Sequence, residues 1–251
     1  MNNRIWYKNW IWYYHFALLL LFLFFILWGL YLCSFKEYWY AEYSSFFNFD
    51  ILMSFLSVQV NIMTIVWIIF FLIFFNKRKY GVNSDRFRIV IMNWNLIVFI
   101  IFWIGIIYYI HQDAEFISSY SKNQIICTIV THFIAPLSLI IIYWFVMGNE
   151  KIEYFNMWKK FDIYIAMLYP LLYMFYIYIR GLMYEKDSLS FGAWPYPFLD
   201  FENLFIGNSI FSYMILLSVI FFFWITAHHL FLMYINNLAF KFKIKNINKE
   251  L

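Results

Sequence analysis

The run Ile51 to Phe75 holds no Asp, Glu, Lys or Arg, and it is longer than the ~20 apolar residues a helix needs to cross the hydrocarbon core of a bilayer. Along it Asp50, Ser54, Ser57, Asn61 and Thr64 recur at spacings of four and three, which is one face of a helix. Such a stripe of carboxylate, hydroxyl and amide groups is costly against lipid. It has to face other helices or a wet cavity, so the rest of the chain must cover it.

Composition agrees with that constraint. Hydrophobic residues make up 65% of the 251 and charged residues 13%, about half the charged share of a soluble domain. Surface-to-volume scaling denies a soluble core of this size room for so much apolar surface. The expected fold class is therefore all-α, a polytopic membrane protein with six transmembrane helices in one bundle. No repeat, linker or low-complexity segment divides residues 1–251, so they read as a single domain. The expected spans are 9–35, 51–75, 89–110, 125–147, 162–180 and 209–235. The first run is too long for a secretory signal and lacks a small-x-small cleavage pattern, so it reads as a retained span. The fifth is the shortest, with Pro170 at its middle.

Lys and Arg set the expected orientation. Of the eighteen, only Lys36, Lys122, Arg180 and Lys186 fall in the three connections on one side; the rest lie at the termini and in the 76–88 and 148–162 segments. By the positive-inside rule both termini are cytoplasmic and the protein sits in the cell membrane. The net charge of +4 then calls for no nucleic acid; attraction to anionic membrane lipids accounts for the basic segments.

This topology places two polar residues at one depth. Ser57 is six residues from the outer end of the second span, or ~9 Å, and His132 is seven from the outer end of the fourth. Thr128, Thr131, His132, Ala135 and Ser138 form a small and polar stripe of their own, suited to close helix approach. Over this level hangs the loop Trp194-Pro195-Tyr196-Pro197-Phe198-Leu199-Asp200, with Arg180 at the outer end of the fifth span.

Each of these features has a plainer reading beside the functional one. A Ser in a membrane helix commonly bonds a carbonyl one turn back, and an Asn commonly joins two helices. An ionisable residue within a span, such as His132, defaults to function with a partner. The Trp-Pro-Tyr-Pro loop reads as a rigid interfacial turn or as a cavity roof. Arg180 reads as a binder of carboxylate or phosphate, or as a snorkelling side chain. No His pair stands at i, i+4 with a carboxylate, so no metal site is expected. Glycines are few and scattered, so neither a phosphate loop nor any other cofactor site is expected. Cys33 and Cys127 are both toward the outer side, as a disulfide or as two free thiols.

Four short stretches carry a resemblance. Phe55-Leu56-Ser57-Val58-Gln59-Val60-Asn61, then His132-Phe133-Ile134-Ala135-Pro136 with Trp144 after it, then Arg180-Gly181, then Trp194 to Asp200 occur in order. Their order resembles that of a bacterial family of predicted six-span membrane proteins, numerous in mollicutes. That family is distantly similar to the animal androgen-induced and androgen-dependent hydrolases, which cleave fatty acid esters of hydroxy fatty acids with an intramembrane Thr and a His. The resemblance covers roughly residues 40–235. It implies that Ser57 stands for the Thr and His132 for the His. This chain departs from the bacterial pattern at Ser57 and at Val60, where a Ser is usual, and keeps Asn61. It also has one residue fewer between His132 and Pro136 than the animal enzymes.

Two classes of function follow. In the first, Ser57 attacks a lipid ester, His132 removes its proton, Asn61 donates to the oxyanion, and Asp50 or Asp200 orients the imidazole. Arg180, Trp194 and Tyr196 then belong to the substrate cavity. In the second, the outer cavity holds a lipid or small solute and does no chemistry. The lack of charged residues inside the spans weighs against an ion-coupled transporter.

Overall fold

The computed structural model describes residues 6–42, 44–77, 81–112, 118, 120–160, 162–187, 189 and 191–250, and among these no strand occurs. Among the described residues six helices are long and apolar enough to cross a membrane, which makes this a multi-pass membrane protein. In chain order the elements are α1 (Trp10–Lys36), α2 (Ser45–Ser54), α3 (Leu56–Ile73), α4 (Asp85–Gln112), α5 (Lys122–Val146), the single turn α6 (Asn156–Lys159), α7 (Asp162–Lys186) and α8 (Ile210–Glu250).

Several of these differ from the expected spans. The run 51–75 is not one helix, because Phe55 is extended (φ −71°, ψ 130°) and parts α2 from α3. The fifth helix continues to Lys186, so Arg180 lies within it rather than at its end. The sixth continues to Glu250, well past 235. Helix α4 begins at Asp85 and takes in Arg86 and Arg88.

Polar side chains tie the helices together, as expected where lipid offers no hydrophobic drive for association. Asn95 Nδ2 donates to Thr64 Oγ1 (2.9 Å), joining α4 to α3. Asn93 Nδ2 donates to the Ile225 carbonyl (3.0 Å), joining α4 to α8. Trp94 Nε1 reaches the Ala166 carbonyl on α7 (3.0 Å), and the Tyr14 hydroxyl reaches the Ser138 carbonyl on α5 (3.0 Å). Ser54, Ser57, Asn61 and Thr64 are all buried, so the polar stripe does face protein.

One end of the bundle carries the basic segments. Arg88 pairs with Asp85 (2.6 Å) and lies over the Phe71 ring (5.7 Å), while Arg86 pairs with Asp162 (3.1 Å). The side chains of Asn236 and Asn237 there bond the backbone at Gly148, Glu150 and Ile152, which docks that connection against α8. Around them sits a close-packed core that includes Phe71, Ile89, Ile91, Ile97 and Ile163. The opposite end, roofed by residues 191–209, is less filled and holds the cavity described next.

Candidate functional site

The helix break at Phe55 builds one wall of the site. It frees carbonyls that a continuous helix would satisfy, and two of them find side-chain donors. The Tyr173 hydroxyl donates to Ser54 O (2.7 Å) and Gln59 Nε2 donates to Met53 O (2.9 Å), with Gln59 held in turn by the Tyr169 hydroxyl (3.1 Å). Ser57 thereby comes to lie in the first turn of α3, where helix N–H groups have no intrahelical partner and the macrodipole is positive. The Tyr196 phenol reaches this turn from the roof, close to the Leu56 and Ser57 N–H groups and the Ser57 hydroxyl. Burial pushes that phenol up to about 12, despite these hydrogen bonds, so it is neutral at physiological pH.

The facing wall is built by Pro136. It has no N–H, and its ring crowds the carbonyl of His132 four residues back. The helix widens there into a π-turn over Val130–Ile134, in which the Ala135 N–H bonds the Val130 carbonyl. His132 stands inside this turn. Its ring stacks on Phe102 of α4 with centroids 4.1 Å apart. Nδ1 lies 3.0 Å from the Thr128 carbonyl and 2.9 Å from Thr131 Oγ1. A carbonyl only accepts, and the Thr131 hydroxyl already donates to Cys127 O (2.7 Å). Nδ1 therefore carries the proton in the neutral ring, and Nε2 keeps its lone pair.

Ser57, Thr128, Thr131, His132 and Tyr196 line one cavity of about 690 Å³, a volume in the range of small-molecule sites. Most of the remaining lining is apolar, from Phe25 on α1, Ile101 and Phe102 on α4, and Leu217, Phe221 and Trp224 on α8. Ile104, Phe205 and Ile206 also line it and are 60%, 64% and 65% exposed, which puts its mouth between α4 and the segment leading into α8. No hydrogen bond joins Ser57 to His132.

The other residues singled out from the sequence have different places. Asn61 Nδ2 donates to Ser57 O (2.8 Å) and Thr131 O (3.4 Å), so its N–H groups tie α3 to α5 instead of presenting a donor to the cavity. Asp50 does not approach His132; its Oδ2 accepts from Arg180 Nη2 (2.6 Å) and Nε (2.9 Å) and from the Tyr184 hydroxyl. Arg180 is 4% exposed and spends Nη1 on the Gly192 and Ala193 carbonyls (2.8 and 2.6 Å), so it clamps the roof rather than binding a headgroup. Trp194 packs on α7 and against the Phe201 ring, outside the cavity. Asp200 accepts from the Glu202 and Asn203 N–H groups (both 3.0 Å), a turn of its own within the roof.

The residues that orient the imidazole, Thr128 and Thr131, are the ones the sequence argument gave no such role. Thr128 stands four residues before His132, a spacing at which its carbonyl faces the ring. Among the described residues no group of three or more His, Cys, Asp or Glu is placed to hold a metal ion. Cys33 and Cys127 are both free thiols, buried separately.

Fold and site together define the class: a six-helix, multi-pass membrane protein with a mainly apolar cavity in one half of its bundle. No family model, curated protein or solved structure matches the chain.

Proposed function

We propose that this protein is an intramembrane hydrolase of fatty acyl esters, with its site in the outer leaflet of the cell membrane. The observation that carries the proposal is that Ser57 and a His132 whose Nε2 lone pair is fixed by its Nδ1 hydrogen bonds line the same mainly apolar cavity. The resemblance carried by residues 55–61 and 132–136 supports the same pairing. An acyl chain fills the apolar volume and its ester carbonyl meets the first turn of α3. His132 Nε2 takes the Ser57 proton as Oγ bonds the carbonyl carbon. The oxyanion accepts from the Leu56 and Ser57 N–H groups, and the Tyr196 hydroxyl withdraws from them to donate to it. The leaving alcohol then takes the proton from Nε2, and water assisted by His132 releases the acid from Ser57.

The Lys and Arg asymmetry supports the orientation, with both termini cytoplasmic and the roof 191–209 outside. The mainly apolar lining of the cavity supports lipid partners. A second reading rests on the missing Ser57 to His132 hydrogen bond: the cavity then binds an acyl lipid or small solute without chemistry.

The test is labelling of purified protein in detergent by a fluorophosphonate, beside hydrolysis of long-chain acyl esters. The wild type labels and hydrolyses, whereas Ser57→Ala and His132→Ala do neither. A wild type that does neither, or variants that match it, removes the hydrolase reading; an acyl lipid co-purifying with all three proteins would then favour the binding reading.

A further inference from the structure

Three interhelical contacts index the depth of the cavity. Thr64 is level with Asn95 through their side-chain hydrogen bond. Ser57 and Phe102 each lie seven residues further toward the roof on their helices, so they share a level. The stacking of Phe102 on His132 puts the imidazole at that level too. On α8, Ile225 is level with Asn93, so Trp224 and Phe221 form the floor of the cavity, below Ser57. Ile104, Phe205 and Ile206 mark the mouth, roofward of it.

Gly105 stands on α4 three residues above Phe102, ~4.5 Å nearer the roof, and it lines the cavity. A Cβ added to it would meet no atom within 4 Å. The contrast with the other helical glycines is sharp: at Gly29 a Cβ would touch Cys127 Sγ at 3.6 Å, and at Gly181 it would collide with Trp194. Gly105 is also not a turn glycine, since among the described glycines positive φ occurs at Gly81, Gly148, Gly192 and Gly207. A glycine inside a helix costs about 1 kcal/mol relative to alanine, and here neither packing nor backbone conformation requires it. What its missing side chain leaves is space in the mouth itself, one residue roofward of Ile104 and above the Ser57–His132 pair.

We infer that Gly105 is the specificity-determining position of the cavity, the place where the chain of an acyl lipid passes through the mouth on its way to the polar end. This rests on the proposed acyl ester site and deepens it. A side chain at 105 projects across that passage and competes with the ligand for the same volume. Its effect is graded by size: alanine is tolerated, leucine narrows the passage, and phenylalanine closes it.

The experiment measures binding of a pyrene-labelled long-chain acyl ester to full-length protein in nanodiscs, read by energy transfer from the protein's tryptophans, two of which, Trp39 and Trp224, line the cavity. Gly105→Ala binds as wild type does, Gly105→Leu binds more weakly, and Gly105→Phe loses about tenfold or more in affinity. Ile107→Phe is the control, on the same helix but 66% exposed and off the cavity wall, and it leaves binding unchanged. Thermal unfolding of every variant checks folding, and if Gly105→Phe does not fold the leucine variant decides. Wild-type binding that Gly105→Leu and Gly105→Phe leave intact overturns the role of Gly105 while keeping the acyl site. A wild type that binds no acyl ester overturns both.

Discussion

The indole of Trp194 occupies the place where Gly181 lacks a side chain: a Cβ built on Gly181 would stand 1.8 Å from Trp194 Cη2. Beside it, Arg180 holds the carbonyls of Gly192 and Ala193 and the carboxylate of Asp50. These two neighbours on α7 fix the roof at residues 192–194, and the rigid Pro195-Tyr196-Pro197 step then carries the Tyr196 phenol to Ser57. At the far end of the same segment the Tyr213 hydroxyl donates to Phe198 O (3.0 Å). The roof is thus pinned on both sides of Tyr196.

Gly181→Ala is expected to lift Trp194 from α7. Because the colliding atoms belong to a rigid ring system, relief requires moving the indole and with it the roof. A loss of ~1–3 kcal/mol is expected, the usual range for overpacking, seen as a lower thermal midpoint in detergent. Ester hydrolysis falls with it, since Tyr196 loses its registration on Ser57. A Gly181→Ala protein with unchanged midpoint and turnover would show that the roof is not held by this contact.

Tyr173→Phe tests the helix break. Removing the hydroxyl leaves the Ser54 carbonyl without its donor, at a cost of about 1–2 kcal/mol. Tyr143→Phe is the control: its hydroxyl donates to the Leu232 carbonyl near the basic end (3.0 Å), but Leu232 lies inside α8 and keeps its intrahelical partner. Tyr143→Phe should therefore lose less stability than Tyr173→Phe. Only Tyr173→Phe should also lose ester turnover, since only there does the freed carbonyl adjoin the turn that carries Ser57.

That break was not legible in the sequence. Nothing between Asp50 and Phe75 is Pro or Gly, and the spacing of Ser54, Ser57, Asn61 and Thr64 fits a continuous helix. Tyr173, and Tyr169 through Gln59, stabilise the break at Phe55 from another helix, so tertiary contacts override the local pattern. The six apolar runs were legible because their length and lack of charge state a membrane requirement directly. The shared level of Ser57 and His132 was legible because helix rise is regular. Partners made through side chains were not: Arg180 and Asp50 pair from residues far apart in sequence, and Trp194 finds Gly181 only once the roof has folded.

Glu37 provides a pH-dependent contact at the roof end. Burial raises its carboxyl, but hydrogen bonds from the Ser121 hydroxyl (2.6 Å), Trp39 Nε1 (2.7 Å) and Asn123 Nδ2 (2.6 Å) together outweigh burial and hold it below the usual carboxylate range. A folded pKa below the unfolded one stabilises at pH above the unfolded value, near ~4.3, and that contribution is lost as pH falls through the folded value. The difference in thermal midpoint between wild type and Glu37→Gln should be constant at neutral pH and should shrink in acid. A difference that instead grows on acidification would reverse the sign assigned to these hydrogen bonds.

Pro136→Ala separates the geometry of the imidazole from the integrity of the helix. Alanine supplies the N–H that proline lacks, and its natural partner is the His132 carbonyl four residues back. Forming that bond favours regular α-helix through Val130–Ile134 and closes the wide π-turn. The His132 side chain then rotates relative to α4, away from its stack on Phe102 and from the cavity. Proline is unfavourable inside a helix by up to ~3 kcal/mol relative to alanine, so the variant should unfold at a higher temperature than wild type. Its ester turnover should nevertheless fall by about tenfold or more, because a base misplaced by about an ångström no longer reaches the Ser57 proton. Stability and activity moving in opposite directions is an outcome that general damage to the fold does not produce. If the variant is more stable and equally active, the π-turn does not position His132, and the base of the proposed reaction lies elsewhere.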